Sequence, residues 1–388
     1  MEREDKQKLY CEYEIIDEEL SNNNSKGKIS QEGSLLLSIR GHSSRYFEKK
    51  QYAVKIVDEG AKSKKESLLG MPAETTWCLN GSYIDHSMIR NYMLYNISGE
   101  IMSYAPRCRM CEVFLTDENG EDVYQGVYTL IEKPKISKER LNLPKYNQNA
   151  EKTAYWLQMN RNDNLVQVEH LGGEEIFRYP FKIEYPKEDE ITKSTYNYIK
   201  DDIFTLEKQF SDALHTNEWE NVNKSLDMKS FVDYYLINEF FQNYDAGGRS
   251  TFLYKNVDDK YYMGPVWDFD GAFNKIFDEM FENNTTISSL ELQNKFYYYY
   301  LKKNPVFVDL CIRRYRELRK SFLSEEYLLN YIDGSVKYLE DAAVRNCDLW
   351  YEGNMHLFYE DIDRIKKFIK ERGDWLDQYF EESTRINN

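Results

Sequence analysis

Two aspartates, Asp268 and Asp270, stand two residues apart in "GPVWDFDGAFN", flanked by Trp267, Phe269 and Phe273. Carboxylates taken among apolar neighbours need a partner, a proton or a metal. Oxygen ligands at i and i+2 face one side of a locally extended chain. They suit Mg²⁺, which takes one or two carboxylates and completes its shell with phosphate and water. A third acid, Asp245, lies upstream in "NYDAGGRSTFLYKN", where Gly247 and Gly248 permit a sharp turn or the close approach of a ligand to the backbone. Ser250, five residues further on, adds a hydroxyl as a weaker metal ligand. Together these groups offer metal-assisted chemistry on phosphates. The same spacing also allows a plainer use, with Asp268 capping a helix that begins at "GAF" and Asp245 serving as a turn residue.

A basic segment supplies the complementary charge. "SIRGHSSRYFEKKQYAVKI" reads as strand, Gly- and Ser-containing turn, basic residues and strand, with Arg40, Ser43, Ser44, Lys49 and Lys50 crowding the turn. Lys55 lies inside the second strand, from which a lysine can project towards the α- and β-phosphates of a nucleotide. An outward Lys55 on a solvated, basic sheet edge is the competing reading.

The elements that must position these groups follow from periodicity. From Met228 to Asn274 the order is an amphipathic helix ending near Asn243, the loop with Asp245, strand "TFLYK", a turn at Asp258 and Asp259, strand "KYYMGPVW", and Asp268. Helix, acidic loop, hairpin and acid in that order build the catalytic half of protein-kinase-like folds, where the loop acid positions the attacking hydroxyl and the later one holds Mg²⁺. Ser250 falls where such a loop carries a metal-binding Asn.

Residues 1–190 are dominated by alternating, β-branched runs and read as an antiparallel sheet; the clearest hairpin is "EVFLTDENGEDVYQGVYTL", turning over Asp117 to Gly120. One helix interrupts them, "SMIRNYMLYNISGEIM", with Ile89, Met93, Ile97 and Ile101 on one stripe and Asp85 or Ser87 as its cap. Residues 191–388 turn helical: a long segment from Ile191 to His215, then "MKSFVDYYLINEFF", which offers Val232, Leu236 and Phe240 to a core, and a closing helix through "IKKFIKERGDWLDQYF". "KYNQNAEK" is a loop, and "SNNNSKGKIS" a flexible hairpin tip. The fold class is α+β, a β-rich N-terminal lobe (1–190) carrying the phosphate grip and a mainly helical C-terminal lobe (191–388) carrying the aspartates.

Composition narrows the partners. A chain of 388 residues, 41% hydrophobic and 15% aromatic, can bury a sizeable core. Setting 51 Lys and Arg against 67 Asp and Glu gives −16, which argues against nucleic acid or an anionic membrane and favours a basic partner; a local basic pocket still admits an anion such as ATP. No apolar run approaches the ~20 residues of a membrane span, and the charged start "MEREDKQKLY" differs from a signal peptide. The chain reads as cytosolic, and removal of a signal or anchor leaves the same appearance. Six scattered cysteines fit free thiols better than disulfides. "CRMC" (Cys108 to Cys111) stands alone in a strand-like run, so ordinary thiols are expected there rather than a zinc or redox site.

In series, "IRGHSSRYFEKKQYAVKI", "LLGMPAETTWCLNGSYIDHSMIRNYMLYNI", "YAPRCRMCEVFLT" with "YQGVYTLIEKPKI", "NYDAGGRSTFLYKN", "GPVWDFDGAFN" and "IKKFIKERGDWLD" resemble the CotH (spore coat protein H) family of atypical protein kinases. The pieces fall in the family's order over roughly residues 35 to 380. The resemblance implies an atypical protein-kinase-like fold and ATP- and Mg²⁺-dependent phosphoryl transfer to a protein Ser or Thr. Asp245 then looks like the catalytic acid and Asp268 the metal ligand, with Asp270 as a second. The segment from Arg40 to Lys55 looks like the phosphate site, Lys55 by kinase analogy and Lys49 with Lys50 by the family's paired lysines. Glu112 and Glu132 become candidates to orient that lysine, with "TLIEKP" along the adenine. Arg90 and Asp85 match the family within "YIDHSMIRN" and read as a structural ion pair.

Ser250 and the Gly-rich "AGGRST" depart from the expected catalytic loop, which keeps altered metal use or lost catalysis open. The implied acceptor is a spore-coat or surface protein, basic and Ser-containing in view of the bulk charge. The alternatives are an inactive scaffold of the same fold, in which the 33 tyrosines serve packing or cross-linking, and a nucleotidyl transferase.

Overall fold

A computed structural model describes residues 7–16, 29–159, 167–168, 170, 176–273 and 286–387. The chain divides into two compact units, one of residues 1–88, 107–133 and 339–358 and one of residues 89–106, 134–338 and 359–388. Helix (39%) and antiparallel strand (22%) make it α+β, as the periodicity implied.

In the first unit, β1 (Leu9–Ile16), β2 (Ile29–Ile39), β3 (Tyr52–Val57), β4 (Thr76–Asn80), β5 (Cys108–Thr116) and β6 (Asp122–Glu132) form an antiparallel sheet in the order β1-β2-β3-β4-β6-β5. The expected hairpin closes where Thr116 pairs with Asp122, and Asp117 Oδ1 accepts the N–H groups of Asn119 and Glu121 at 2.8 and 2.9 Å. Alternation puts Tyr52, Val54 and Ile56 of β3 on one face, where they pack with Leu37, Trp77, Tyr128 and Leu130. The tip expected at "SNNNSKGK" lies outside the described residues. The C-terminal part of α7 (Glu325–Trp350) is held to this unit by Arg345, paired with Glu112 at 2.8 and 2.7 Å, and by Trp350 Nε1, which donates to the Gln125 carbonyl at 3.0 Å.

The second unit holds β7 (Tyr155–Met159), β8 (Gln167–Val168), β9 (Phe181–Tyr185), β10 (Thr251–Lys255) and β11 (Tyr261–Met263), ordered β11-β10-β7-β9-β8. Strands from either side of residue 190 therefore share one sheet. Its helices include α1 (Arg90–Ile101), α2 (Lys193–Thr216), α4 (Met228–Phe240), α6 (Pro305–Leu318) and α8 (Met355–Asn387), with the short α3 (Glu220–Ser225) and α5 (Tyr298–Leu301) between them. The α1 stripe is buried as expected, but neither Asp85 nor Ser87 caps the helix. Ile89 occupies the cap position without a side-chain bond, while Ser87 Oγ donates to Asp85 at 2.5 Å. Val232, Leu236 and Phe240 of α4 are in the core. Several tyrosines serve packing: Tyr297 stacks on Phe210 at 4.9 Å and Tyr298 meets Tyr235 at 5.2 Å.

All six cysteines are free. Cys108 and Cys111 lie three apart on β5, so they point to opposite faces, and burial pushes both thiols up. They are the ordinary thiols expected. Among the described residues no helix is long and apolar enough to cross a membrane.

One buried ion pair organises the second unit around the end of α4. Arg372 of α8 donates to the carbonyls of Glu239 (2.7 Å), Ile287 (2.5 Å) and Ser289 (2.6 Å), and its guanidinium stands beside the Glu239 carboxylate, which also accepts the N–H groups of Glu291 and Leu292 at 2.7 and 2.6 Å. Removing one member of such a pair strands the other in low dielectric, a loss of about 3–5 kcal/mol. Arg372→Met is therefore expected to lower the urea midpoint of this unit strongly. Lys208→Met, on the exposed pair with Asp212, is expected to leave it nearly unchanged, and equal effects would contradict the assignment.

Candidate active site

The segment bearing Asp268 and Asp270 is not an extended strand. β11 ends at Met263, and Asp268 has φ 65°, a left-handed conformation that Asp tolerates better than most residues. The expected i, i+2 alternation therefore does not apply. Helix α1 holds the turn instead. Asn91 accepts the Phe269 N–H at 3.0 Å through Oδ1 and donates through Nδ2 to Asp270; one turn later, Tyr95 Oη accepts the Asp268 N–H at 3.1 Å. Positions i and i+4 share a helix face, so both groups reach one segment. Arg90 completes the clamp, its Nε 3.4 Å from the Ala272 carbonyl and its two Nη atoms on Asp361 at 2.5 and 2.8 Å. Arg90 is thus in a buried ion pair with Asp361.

The Asp245 loop leaves α4 through Gln242 at φ 44° and enters β10 through Ser250 at φ 48°. Asn243 Nδ2 donates to Asn238 Oδ1 at 3.1 Å, the Gly248 and Arg249 N–H groups donate to the Asp245 carbonyl at 3.1 and 2.7 Å, and the Gly247 N–H donates to Thr251 Oγ1 at 2.9 Å. Gly247 has φ 75°, and a Cβ there would stand 2.6 Å from Leu292 Cδ2, so the position requires glycine on two counts. Asp245 is half-buried, with Arg249 Nη1 3.4 Å from its Oδ1.

Among the described residues one backbone bond joins the end of α4 to the segment after Asp270: the Phe273 N–H donates to the Phe241 carbonyl at 2.7 Å, with the two rings 5.5 Å apart. This bond ties the chain three residues after Asp270 to the end of α4, four residues before Asp245. Five left-handed residues (Gln242, Gly247, Ser250, Asp268 and Phe273) fall within these two stretches. Each non-glycine residue held there costs on the order of 1–3 kcal/mol, which persists only where the surroundings over-determine the conformation.

Asp268 and Asp270 offer only hard oxygen donors, and among the described residues no group of three or more His, Cys, Asp or Glu is arranged to hold a metal. Carboxylate oxygens are the ligand chemistry that Mg²⁺ takes, and not the nitrogen and sulfur donors of a structural zinc site.

The basic candidates of the first unit have separate fates. Lys49 is fully buried, its Nζ donating to the Val127 carbonyl at 2.6 Å and to Asn346 Oδ1 at 2.7 Å. Lys50 donates to the carbonyls of Arg45 and Phe47 at 3.1 and 2.7 Å, closing the turn. Arg40 reaches Gln51 Oε1 at 3.3 Å; Ser43 is exposed and Ser44 half-buried in a short 3₁₀ turn, Ser44–Tyr46. Lys55 lies on the face of β3 opposite the core residues, between Leu36 and Thr76, and is half-buried with no side-chain partner among the described residues. The acids expected to orient it are taken by arginines: Glu132 Oε1 pairs with Arg107 Nη1 at 3.1 Å, and Glu112 with Arg345.

Sequence reasoning missed Asn91 and Tyr95. Their one signal is a polar pair at helical spacing, on a helix read for its apolar stripe.

Asn91→Ala deprives the Phe269 N–H of its acceptor, a loss of about 1–3 kcal/mol. Hydrogen exchange is expected to quicken across residues 267–273 and stay unchanged in β2–β4; unchanged protection at Phe269 would contradict the clamp. Burial pushes the Lys49 ammonium down to about 7, against the pull of Cys111, Cys347 and Asp85. The unfolded chain keeps this lysine protonated up to about 10.4, so between the two values it binds more protons than the native state. Stability therefore rises with pH across that window. Denaturation between neutral pH and pH ~9 is expected to give a steeper rise for the parent than for Lys49→Met, and identical slopes would contradict it.

No curated protein matches the chain. A family model described as CotH kinase protein matches residues 37–376, a span that takes in every candidate residue from Arg40 to Asp270 and carries with it a kinase-like fold. The chain belongs to the CotH kinase protein family.

Proposed function

We propose that the chain transfers the γ-phosphate of ATP to a Ser or Thr hydroxyl of a protein, in an Mg²⁺-dependent reaction. The observation that carries this reading is the bond from the Phe273 N–H to the Phe241 carbonyl, which fastens the turn of Asp268 and Asp270 to the start of the Asp245 loop. One acid to receive or orient the hydroxyl proton and a separate carboxylate pair for the metal are the parts that phosphoryl transfer requires, because positioning and electrostatic stabilisation supply most of its rate.

In this reading Asp245 orients the acceptor hydroxyl, Asp268 and Asp270 hold Mg²⁺, and Ser250 supplies a supporting oxygen. The ion, when bound, neutralises charge on the nucleotide's phosphates. In the first unit Lys55 is the residue best suited to phosphate, since Lys49 and Lys50 spend their ammonium groups on internal carbonyls and an amide. Arg40, Ser43 and Ser44 line the turn beside it in sequence, and Glu132 with the chain after it flanks the base. The bulk charge of −16 favours encounter with a basic, Ser-containing protein of a spore coat or surface.

A second reading, the same fold without turnover, draws on Ser250 standing where a kinase loop has Asn. Incubation with γ-labelled ATP, Mg²⁺ and a basic Ser-rich protein separates them. The parent is expected to transfer label, and Asp245→Asn and Asp268→Asn to lose it by a factor on the order of 10²–10⁴. Lys55→Met is expected to act mainly through KM for ATP. Equal labelling in all chains would overturn the site assignments, absence of label in the parent would favour the scaffold, and an AMP adduct in the product mass would indicate nucleotidyl transfer.

A further inference from the structure

Two guanidinium groups crowd the Asp245 loop. Arg249 reaches back to Asp245 at 3.4 Å, longer than the ~2.7–2.9 Å of a strong charge-assisted pair, and its Nε is buried with no hydrogen-bond partner among the described residues. Arg178, from the segment before β9, lays its stem across the loop, so that a Cβ on Gly248 would stand 3.3 Å from Arg178 Cδ. Its guanidinium lies 5.7 Å from the Tyr179 ring centre and interacts with Tyr244 as well. Among the described residues no carboxylate pairs with it, and it is exposed. Lys295, from the segment before α5, donates to the Tyr244 carbonyl of this loop at 3.1 Å and is already neutralised by Glu291 at 2.5 Å.

Among the described residues, Arg178, Arg249 and Lys295 thus face the carboxylates of Asp245 and Glu291 alone, a local positive excess in a chain of net charge −16. Tyr179 registers it: burial works to raise its phenol, yet the hydrogen bonds and charges of Arg249 and Arg178 hold it below the usual value. A guanidinium fork with spare donors matches a carboxylate or phosphate better than any neutral group. Bulk field and local cluster act at different ranges, one on encounter and the other on which residue sits at the loop.

We propose that Arg178 and Arg249 form an anion-reading subsite beside Asp245, which selects acceptors bearing a carboxylate or phosphate next to the hydroxyl to be modified. The assignment of that anion to an acceptor rests on the phosphoryl-transfer reading. The subsite itself is a binding property and can be measured without turnover.

The test uses three peptides of one basic frame around a single Ser, whose flanking position is Ala, Glu or phosphoserine. Each is titrated calorimetrically into the full chain, Arg178→Gln, Arg249→Gln and Arg178→Lys, with thermal melts to establish that the variants fold. The parent is expected to bind the Glu or phosphoserine peptide about tenfold or more tightly than the Ala peptide. Each Gln variant is expected to lose that preference and Arg178→Lys to keep part of it; whichever anionic peptide binds tighter identifies the source of the charge. Equal affinity for all three peptides, no binding, or a preference that survives in both Gln variants would overturn the subsite. Label transfer from γ-labelled ATP is read in the same samples. A binding preference without transfer overturns the kinase reading and leaves the subsite standing, whereas transfer without preference overturns the subsite alone.

Discussion

The hydrogen bond from the Phe273 amide to the Phe241 carbonyl is the constraint on which the candidate site depends. It closes a long excursion of chain through β10 and β11 and returns the chain just after Asp270 to the end of α4, which leads into the loop of Asp245. Neither segment would hold its shape alone, because both contain left-handed residues other than glycine. Helix α1 supplies the rest of the restraint through Arg90, Asn91 and Tyr95, three polar groups each bonded to the turn's backbone or to Asp270. The candidate acids thus sit on turns with left-handed residues braced by buried side chains.

The three lysines between residues 49 and 55 illustrate how burial sorts residues of one type. Lys49 lies inside and titrates low, Lys50 closes a turn on two carbonyls, and Lys55 alternates onto the face that the apolar core leaves uncovered. A basic cluster in sequence is therefore three separate physical objects, and only Lys55 retains an unspent charge among the described residues. Glu112 and Glu132, both acids on the β5–β6 hairpin, are likewise committed to arginines.

Elements with a local cause could be read from the chain itself. The β5–β6 hairpin follows from an Asp-to-Gly turn between alternating runs, the helices α1, α2 and α4 from their apolar stripes, and the β10–β11 hairpin from its acidic turn. Features with a distant cause could not. The pairing of β7 with β10, the partnership of Arg90 with Asp361, and the bracing of Asp268 by Tyr95 join residues far apart in sequence and leave no periodic trace. Two local inferences also failed for local reasons: Ile89 took the cap position of α1, and the φ of Asp268 broke the extended geometry that i, i+2 alternation presumes. The candidate acids were singled out from their residue types and order; the supports around them became visible only in three dimensions.

The most direct measurement of the central claim is a crystal structure with Mn²⁺ in place of Mg²⁺ and a non-hydrolysable ATP analogue, using the anomalous signal of the metal. The account predicts a metal peak on the carboxylates of Asp268 and Asp270, with the Phe241 to Phe273 bond intact and Asp245 on the side of the nucleotide's terminal phosphate. A metal peak bound elsewhere on the chain, or the two segments separated from one another in the complex, would contradict it.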